Sequence, residues 1–242
     1  GRICKYHFAP TETSKNNLLK ENISEDSILV TGNTVIDSLI KSVDKVNENP
    51  SQLVQDLSKK VGDKEVILVT GHRRENHGVG FERICKALKR IAKADQNRLI
   101  IYPVHLNPKV QQPVKKILSK INNVILIDPL SYEDFIWLMN RSKIIITDSG
   151  GVQEEAPSLG KPVLVMRDST ERPEAVKAGT VKIVGTNIDG SIGPDGRRRV
   201  NFACGCKLPF LGPVGVQGID FIVKGSIING SVCSDGRGRA QI

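Results

Sequence analysis

Short, unbroken apolar runs alternate with amphipathic stretches along most of this chain, and that alternation restricts its fold more than any other feature. Strand-like runs fall at 27–30, 65–70, 98–102, 124–127, 143–147, 162–166 and 181–184. Most intervals between them carry helical periodicity. Phe81, Ile84, Cys85, Leu88 and Ile91 recur on one helical face, and Val110, Val114, Ile117, Leu118 and Ile121 repeat the pattern. The runs are continuous rather than alternating, so both faces of the sheet are expected to be covered. Strands interleaved with helices imply an α/β fold with a doubly wound, mostly parallel, Rossmann-like sheet. In such a sheet ligands collect outside the carboxyl ends of the strands. The loops starting near Gly71, Pro103, Asp128, Asp148 and Arg167 are therefore where chemistry is expected.

The most informative of these strand ends is Ile144-Ile-Ile-Thr147-Asp148-Ser149-Gly150-Gly151-Val-Gln-Glu154-Glu155-Ala-Pro. A β-branched run passes through a glycine turn directly into a helix start. Paired glycines allow close backbone approach, and a new helix leaves its first N–H groups without internal partners. Such a terminus attracts phosphate, and the helix dipole alone contributes about 0.3–1 kcal/mol. Glu155 falls about one turn into the helix, where its carboxylate can accept from ribose hydroxyls. The segment reads as a nucleotide-diphosphate site; an ordinary strand-to-helix turn is the alternative.

Three further strand ends add candidates. Val66-Ile-Leu-Val-Thr70-Gly71-His72-Arg73-Arg74-Glu75-Asn76 delivers a histidine and two guanidinium forks suited to phosphate oxygens. His72 is a candidate acid or base; an exposed charged loop is the competing explanation. Met166-Arg167-Asp168-Ser169-Thr170-Glu171-Arg172-Pro173-Glu174 places Arg172 before a proline, either to hold phosphate or only to begin a helix at Pro173. Asp128-Pro129-Leu130-Ser131-Tyr132-Glu133-Asp134-Phe135 offers Phe135 to a nucleobase or to the core. His105, in Tyr102-Pro-Val-His105-Leu-Asn-Pro108, is a weaker candidate. No GxxxxGK[ST] loop occurs, which disfavours a P-loop nucleotidase.

Charge and composition narrow the partners. The chain of 242 residues carries 35 Lys+Arg against 26 Asp+Glu, a net charge of +9. The excess is spread as pairs such as Lys59-Lys60, Lys89-Arg90 and Lys115-Lys116, and with aromatics at 4% a base-stacking surface is hard to build. An anionic small molecule is expected rather than nucleic acid. Five cysteines form no even framework, and Cys204-Gly-Cys206 has the wrong spacing for a zinc knuckle, so neither a metal nor a cofactor is expected. The sequence shows no signal peptide and no span of 18 apolar residues, which makes a cytoplasmic setting without membrane contact the default.

Together these motifs resemble the UDP-N-acetylglucosamine 2-epimerase family in its non-hydrolysing, bacterial form. The resemblance is carried by His7-Phe-Ala-Pro-Thr-Glu-Thr-Ser, Thr31-Gly-Asn-Thr-Val-Ile-Asp37, Gly71-His-Arg-Arg-Glu-Asn76, Pro103-Val-His-Leu-Asn-Pro108, Thr147-Asp-Ser-Gly-Gly-Val-Gln-Glu-Glu-Ala-Pro-Ser-Leu-Gly-Lys-Pro162 and Arg172-Pro-Glu-Ala-Val176. It covers residues 1–188 and corresponds to the second half of a family chain. It implies one of the two Rossmann-like domains of a GT-B arrangement, which clasp a UDP-sugar between them. By resemblance, Ser149, Gly150 and Gly151 hold the pyrophosphate and Glu155 the ribose. His72, Arg74 and Arg172 meet the phosphates, and the loop with Leu130 and Phe135 borders the uracil. The family reaction interconverts UDP-GlcNAc and UDP-ManNAc by eliminating and re-adding UDP, with His72 as this half's catalytic candidate. A homodimer is implied for the full-length protein.

The carboxylates expected across the substrate are absent, so this chain is expected to bind UDP weakly and not to epimerise alone. A hydrolysing epimerase, a GT-B-type glycosyltransferase domain and a non-catalytic nucleotide-binding fragment remain the competing classes. Residues 189–242 break the pattern: they hold eleven of the 22 glycines, three of the five cysteines and the run Arg197-Arg198-Arg199. This glycine-rich tail is expected to be poorly ordered or an unrelated, non-native sequence, with no strand assigned to its short apolar fragments.

Overall fold

The computed structural model describes residues 3–186, together with the backbone of 221–223 and 226–228. The chain opens with β1 (His7–Ala9), α1 (Glu12–Lys20) and β2 (Ile28–Val30), and continues into α2 (Thr34–Glu48) and α3 (Gln52–Val61). Strict alternation follows: β3 (Glu65–Thr70), α4 (Val79–Ala94), β4 (Arg98–Pro103), α5 (Pro108–Leu118), β5 (Val124–Ile127), α6 (Tyr132–Arg141), β6 (Ile144–Thr147), α7 (Gly150–Ser158), β7 (Val163–Val165), α8 (Pro173–Lys177) and β8 (Val181–Ile183). The helix starts are locally encoded. Side chains of Thr11, Asn33, Ser51, Asn107 and Ser131 accept backbone N–H groups at the starts of α1, α2, α3, α5 and α6. Helix α3 ends at Gly62, whose φ of +49° favours glycine.

The main sheet has the order β5-β4-β3-β6-β7-β8, and every pairing is parallel. The chain builds outward from β3 in one direction, then crosses back to β6 and builds in the other. This is the doubly wound order, with its switch point between β3 and β6. Successive residues of β3 serve opposite faces. Ile67 and Val69 join Phe81, Ile84 and Leu88 of α4 and Val110 and Val114 of α5 in one core layer. Val66 and Leu68 join Leu39 of α2, Ile136 and Met139 of α6, and Val152 and Ala156 of α7 in the other. Two buried faces explain the unbroken apolar runs.

Six of the seven expected strands lie in this sheet, within a residue of the expected ends. The seventh, at 27–30, forms instead β2 of a separate parallel pair with β1. A short apolar run carries no information about which sheet it joins, and β1 is too short to show a period. Phe8 and Leu29 of this pair are 66% and 51% exposed. In the tail, β9 (Phe221–Val223) pairs antiparallel with β10 (Ser226–Ile228), where the sequence assigned no strand. The expected boundary at 188 and the expectation of a poorly ordered or unrelated tail otherwise lie outside the described residues.

Leu88 is fully buried in the α4 layer, whereas Leu53 on α3 is exposed. Leu88→Ala is therefore expected to cost about 2–5 kcal/mol in denaturant unfolding, with Leu53→Ala within about 0.5 kcal/mol of the parent.

Candidate functional site

At the switch point the ends of β3 and β6 lie side by side, with Thr70 in register with Thr147. The helices that follow them, α4 and α7, pack on opposite faces, which opens a crevice between the two strand ends. Asp148 closes its floor. This carboxylate is fully buried. It accepts the backbone N–H of His72 (2.9 Å) and of Arg73 (2.8 Å), and His72 Nδ1 lies 3.4 Å from its other oxygen. The amide of Asp148 in turn donates to Thr70 O at 3.3 Å. A buried charge needs such donors. The adjoining Gly71 is fixed by crowding, because a Cβ there would stand 3.2 Å from Met166 Cε and 3.3 Å from Tyr102 Oη. The Tyr102 hydroxyl donates to Gly71 O at 3.3 Å, and burial pushes its phenol well above its ordinary value.

The imidazole of His72 is aimed from two sides. Asp148 holds Nδ1, and the ring of His105, from the end of β4, stacks on it with centroids 5.6 Å apart and planes 19° from parallel. His105 Nδ1 accepts the Asn107 amide at 3.1 Å, which assigns its proton to Nε2.

Helix α7 begins without a side-chain cap. Its N-cap, Ser149, donates its amide to Thr147 Oγ1 at 2.9 Å, but the Ser149 side chain accepts nothing from the helix. The two glycines have different surroundings. At Gly151 an added Cβ would meet only Ser149 Oγ, at 4.0 Å, whereas at Gly150 it would stand 2.8 Å from Glu171 Oε1. Glu171 also faces Arg73 Nη2 at 3.4 Å and Arg167 Nη1 at 2.5 Å, and Arg167 Nε reaches Glu75 at 3.0 Å. Its own backbone amide, then Arg167 and Arg73, hold the Glu171 carboxyl below its usual range against the opposing effect of burial.

The loop after β7 is anchored to α7. Thr170 Oγ1 donates to the buried Gln153 at 2.5 Å and accepts the Arg172 amide at 3.1 Å. Arg172 occupies the N-cap position of α8, with Pro173 as the first helical residue. Its side chain forms a close ion pair with Glu154 that lacks hydrogen-bond direction. Glu154 also accepts from Asn33 Nδ2 at 2.5 Å.

Glu155, the next residue of α7, is buried and accepts the Tyr132 hydroxyl at 3.1 Å. Burial raises its carboxyl above the ordinary 4.5, while Tyr132 acts against the rise. Burial and Glu155 push the Tyr132 phenol up to about 12. Leu130 and Phe135 flank Tyr132 in sequence; both are half-buried and pack against the core layer of α2 and α6.

Ser149, Gly150 and Gly151 thus follow Asp148, which holds the loop of His72, while Arg172 meets Glu154 on α7 and Glu155 meets Tyr132, which lies between Leu130 and Phe135. Arg74 lies exposed on the short turn Arg74–Asn76 and makes none of these contacts. The sequence reading assigned no role to Asp148, Glu171 or Tyr132. A carboxylate ending an apolar strand was a legible signal for Asp148; the other two depend on tertiary placement. Beside the network a cavity of about 600 Å³ is lined by Glu75, Arg83, Arg167 and Thr186, the last of which ends the main described span. No group of three metal-ligating side chains occurs among the described residues, and none of their helices is long and apolar enough to cross a membrane.

Sheet order, switch-point crevice and uncapped glycine turn define a Rossmann-like domain of the class that receives nucleotides at the carboxyl edge of its sheet. The model of the UDP-N-acetylglucosamine 2-epimerase family matches residues 1–192, and the chain belongs to that family. It is 57% identical over 190 residues to the UDP-N-acetylglucosamine 2-epimerase of Salmonella typhimurium, covering 77% of this chain and 50% of that protein. To the Escherichia coli K12 enzyme it is 58% identical over 190 residues, with the same coverage. The crystal structure of UDP-GlcNAc 2-epimerase from Neisseria meningitidis bound to UDP-GlcNAc is similar with a TM-score of 0.72 and 50% identity, over 77% of this chain and 52% of that one. The chain spans about half the length of the curated relatives it matches. The expected family and the doubly wound α/β fold, one half of a GT-B arrangement, both hold.

The raised carboxyl of Glu155 has a consequence for stability. Its folded value lies above its unfolded value, so its contribution to stability falls as pH rises from about 4.5 through the folded value. Glu155→Gln is expected to raise the melting temperature at pH 7, with the gain shrinking towards zero at pH 4. Melting curves of the two proteins at both pH values check this.

Proposed function

We propose that this chain is the UDP-binding half of an enzyme that interconverts UDP-GlcNAc and UDP-ManNAc. The observation that carries the reading is the crevice at the switch point, where an uncapped helix start, arginine forks and the buried Glu155 follow one another in the order a diphosphate and a ribose require. In this reading Ser149, Gly150 and Gly151 receive the pyrophosphate and Glu155 accepts from the ribose hydroxyls. His72 and Arg172 meet the phosphates, and Leu130 and Phe135 border the uracil. The Neisseria meningitidis relative solved with UDP-GlcNAc supports the choice of ligand.

The chemistry follows from charge. When the C2 proton of the sugar passes to a base, the C1–O bond breaks and UDP leaves with its electron pair. UDP then bonds again to C1 while a proton is delivered to the opposite face of C2, which inverts that centre. Cationic and N–H donors fixed where charge grows on the departing diphosphate lower that barrier without reorganising. That is what the described crevice supplies, with His72 oriented by Asp148 as the candidate acid. No carboxylate described here is proposed as the C2 base; we assign it to the half that precedes this chain in a full-length protein.

The β1–β2 pair supports that division. Two parallel three-residue strands with Phe8 and Leu29 exposed are too small a sheet to stand alone. We read them as the last strands of a sheet begun by the preceding half. On the family resemblance alone, the reading extends to a homodimeric, cytoplasmic full-length protein.

Calorimetry tests the assignment. UDP is expected to bind the chain, and Arg172→Ala to weaken it about tenfold or more, since a charged hydrogen bond contributes roughly 1.5–3 kcal/mol. UDP-GlcNAc is expected to remain unconverted by the chain alone. Turnover by the isolated chain, or unchanged affinity in the variant, would contradict the assignment.

A further inference from the structure

We propose that Glu171 is an internal anion lodged in the diphosphate cradle, and that UDP binds only by displacing it. The inference rests on the UDP-binding reading above and concerns what sets affinity at that site.

One carboxylate stands beside Gly150 and takes up two guanidinium groups, Arg73 and Arg167, that a phosphate at that residue would otherwise meet. Its Oε1 lies so close to the first residue of α7 that a side chain at Gly150 would stand 2.8 Å from it. The same oxygen faces Arg73 Nη2 at 3.4 Å, and that nitrogen is itself 3.9 Å from the Gly150 Cβ position. The other oxygen is held by Arg167 Nη1 at 2.5 Å. Helix α7 has no side-chain cap, as α4 and α8 also have none, and Glu171 stands beside its first residue. Glu171 is exposed, on the loop joining β7 to α8, so its side chain can swing outward without disturbing the core.

Phosphate and carboxylate seek the same donors, so binding is an exchange rather than an addition. A ligand with two phosphate groups can replace the single charge and gain. A ligand without phosphate makes no demand on the cradle. Glu171 is thus an affinity-setting residue, and it favours ligands whose charge exceeds its own.

A purely structural role predicts the reverse sign: if Glu171 served to hold Arg73 and Arg167 ready for the ligand, neutralising it would weaken UDP. The experiment is an NMR titration, which reads millimolar affinities, of the chain and of Glu171→Gln with UDP and with uridine at low salt. Glu171→Gln is expected to tighten UDP roughly tenfold, as loss of a like charge at this distance implies, and to leave uridine unchanged. Glu171→Ala is expected to match Glu171→Gln for UDP, separating charge from side-chain size. Weaker or unchanged UDP affinity in Glu171→Gln overturns the displacement. Equal tightening of uridine overturns it too, because the effect would not be electrostatic. Absence of both ligands from both proteins contradicts the UDP-binding reading itself, and the inference with it.

Discussion

The buried carboxylate of Asp148 is the interaction on which the rest of the site depends. It sits at the end of β6 and collects the amides of His72 and Arg73 from the end of β3. A carboxyl group with no exposure is tolerated only where donors surround it, and here the donors belong to the neighbouring strand's loop. That requirement closes the switch point. It fixes the path of Gly71–Arg73, aims His72 into the crevice and brings Arg73 to the rim where Glu171 stands. The turn at Ser149 starts from the same residue, so both walls of the crevice are referred to one side chain.

Around that floor the charges are arranged in reciprocal pairs rather than left open. Arg73 and Arg167 share Glu171, and Arg172 faces Glu154. Glu154 also accepts from Asn33, and Thr11 donates to Glu174. The start of α1 is thereby tied to α8, and the start of α2 to α7, through polar contacts. A site built this way is preorganised but self-satisfied. On the proposed reading, ligand affinity depends on what the ligand offers beyond the partners already present, so that binding is an exchange.

Much of this was legible in the sequence, for identifiable reasons. Runs buried on both faces announce themselves, so Glu65–Thr70 and Val124–Ile127 were read to the residue. The helical face of Phe81, Ile84, Cys85, Leu88 and Ile91 is buried as its period required. The glycine turn after β6 was legible because a β-branched run passes through paired glycines directly into a helix start. What escaped was tertiary. Nothing local says that Glu171, twenty-one positions away, stands over Gly150, or that Tyr132 reaches Glu155. The 27–30 run was identified as a strand but not as part of a separate sheet, because sheet membership is decided by partners outside the run.

The division into halves gives the fold its remaining meaning. The main sheet is complete at its switch point, while the β1–β2 pair is a parallel sheet too small to bury its own face. The described residues thus have a main sheet whose switch point opens the crevice and a small second sheet that leaves Phe8 and Leu29 exposed. The measurement that tests the central claim most directly is a backbone-amide NMR map of UDP bound to the isolated chain. The account predicts that the largest shifts fall on the amides of His72, Arg73 and Ser149–Gly151, at the ends of β3 and β6. Shifts concentrated instead around Arg83 and Thr186, at the neighbouring cavity, would contradict it.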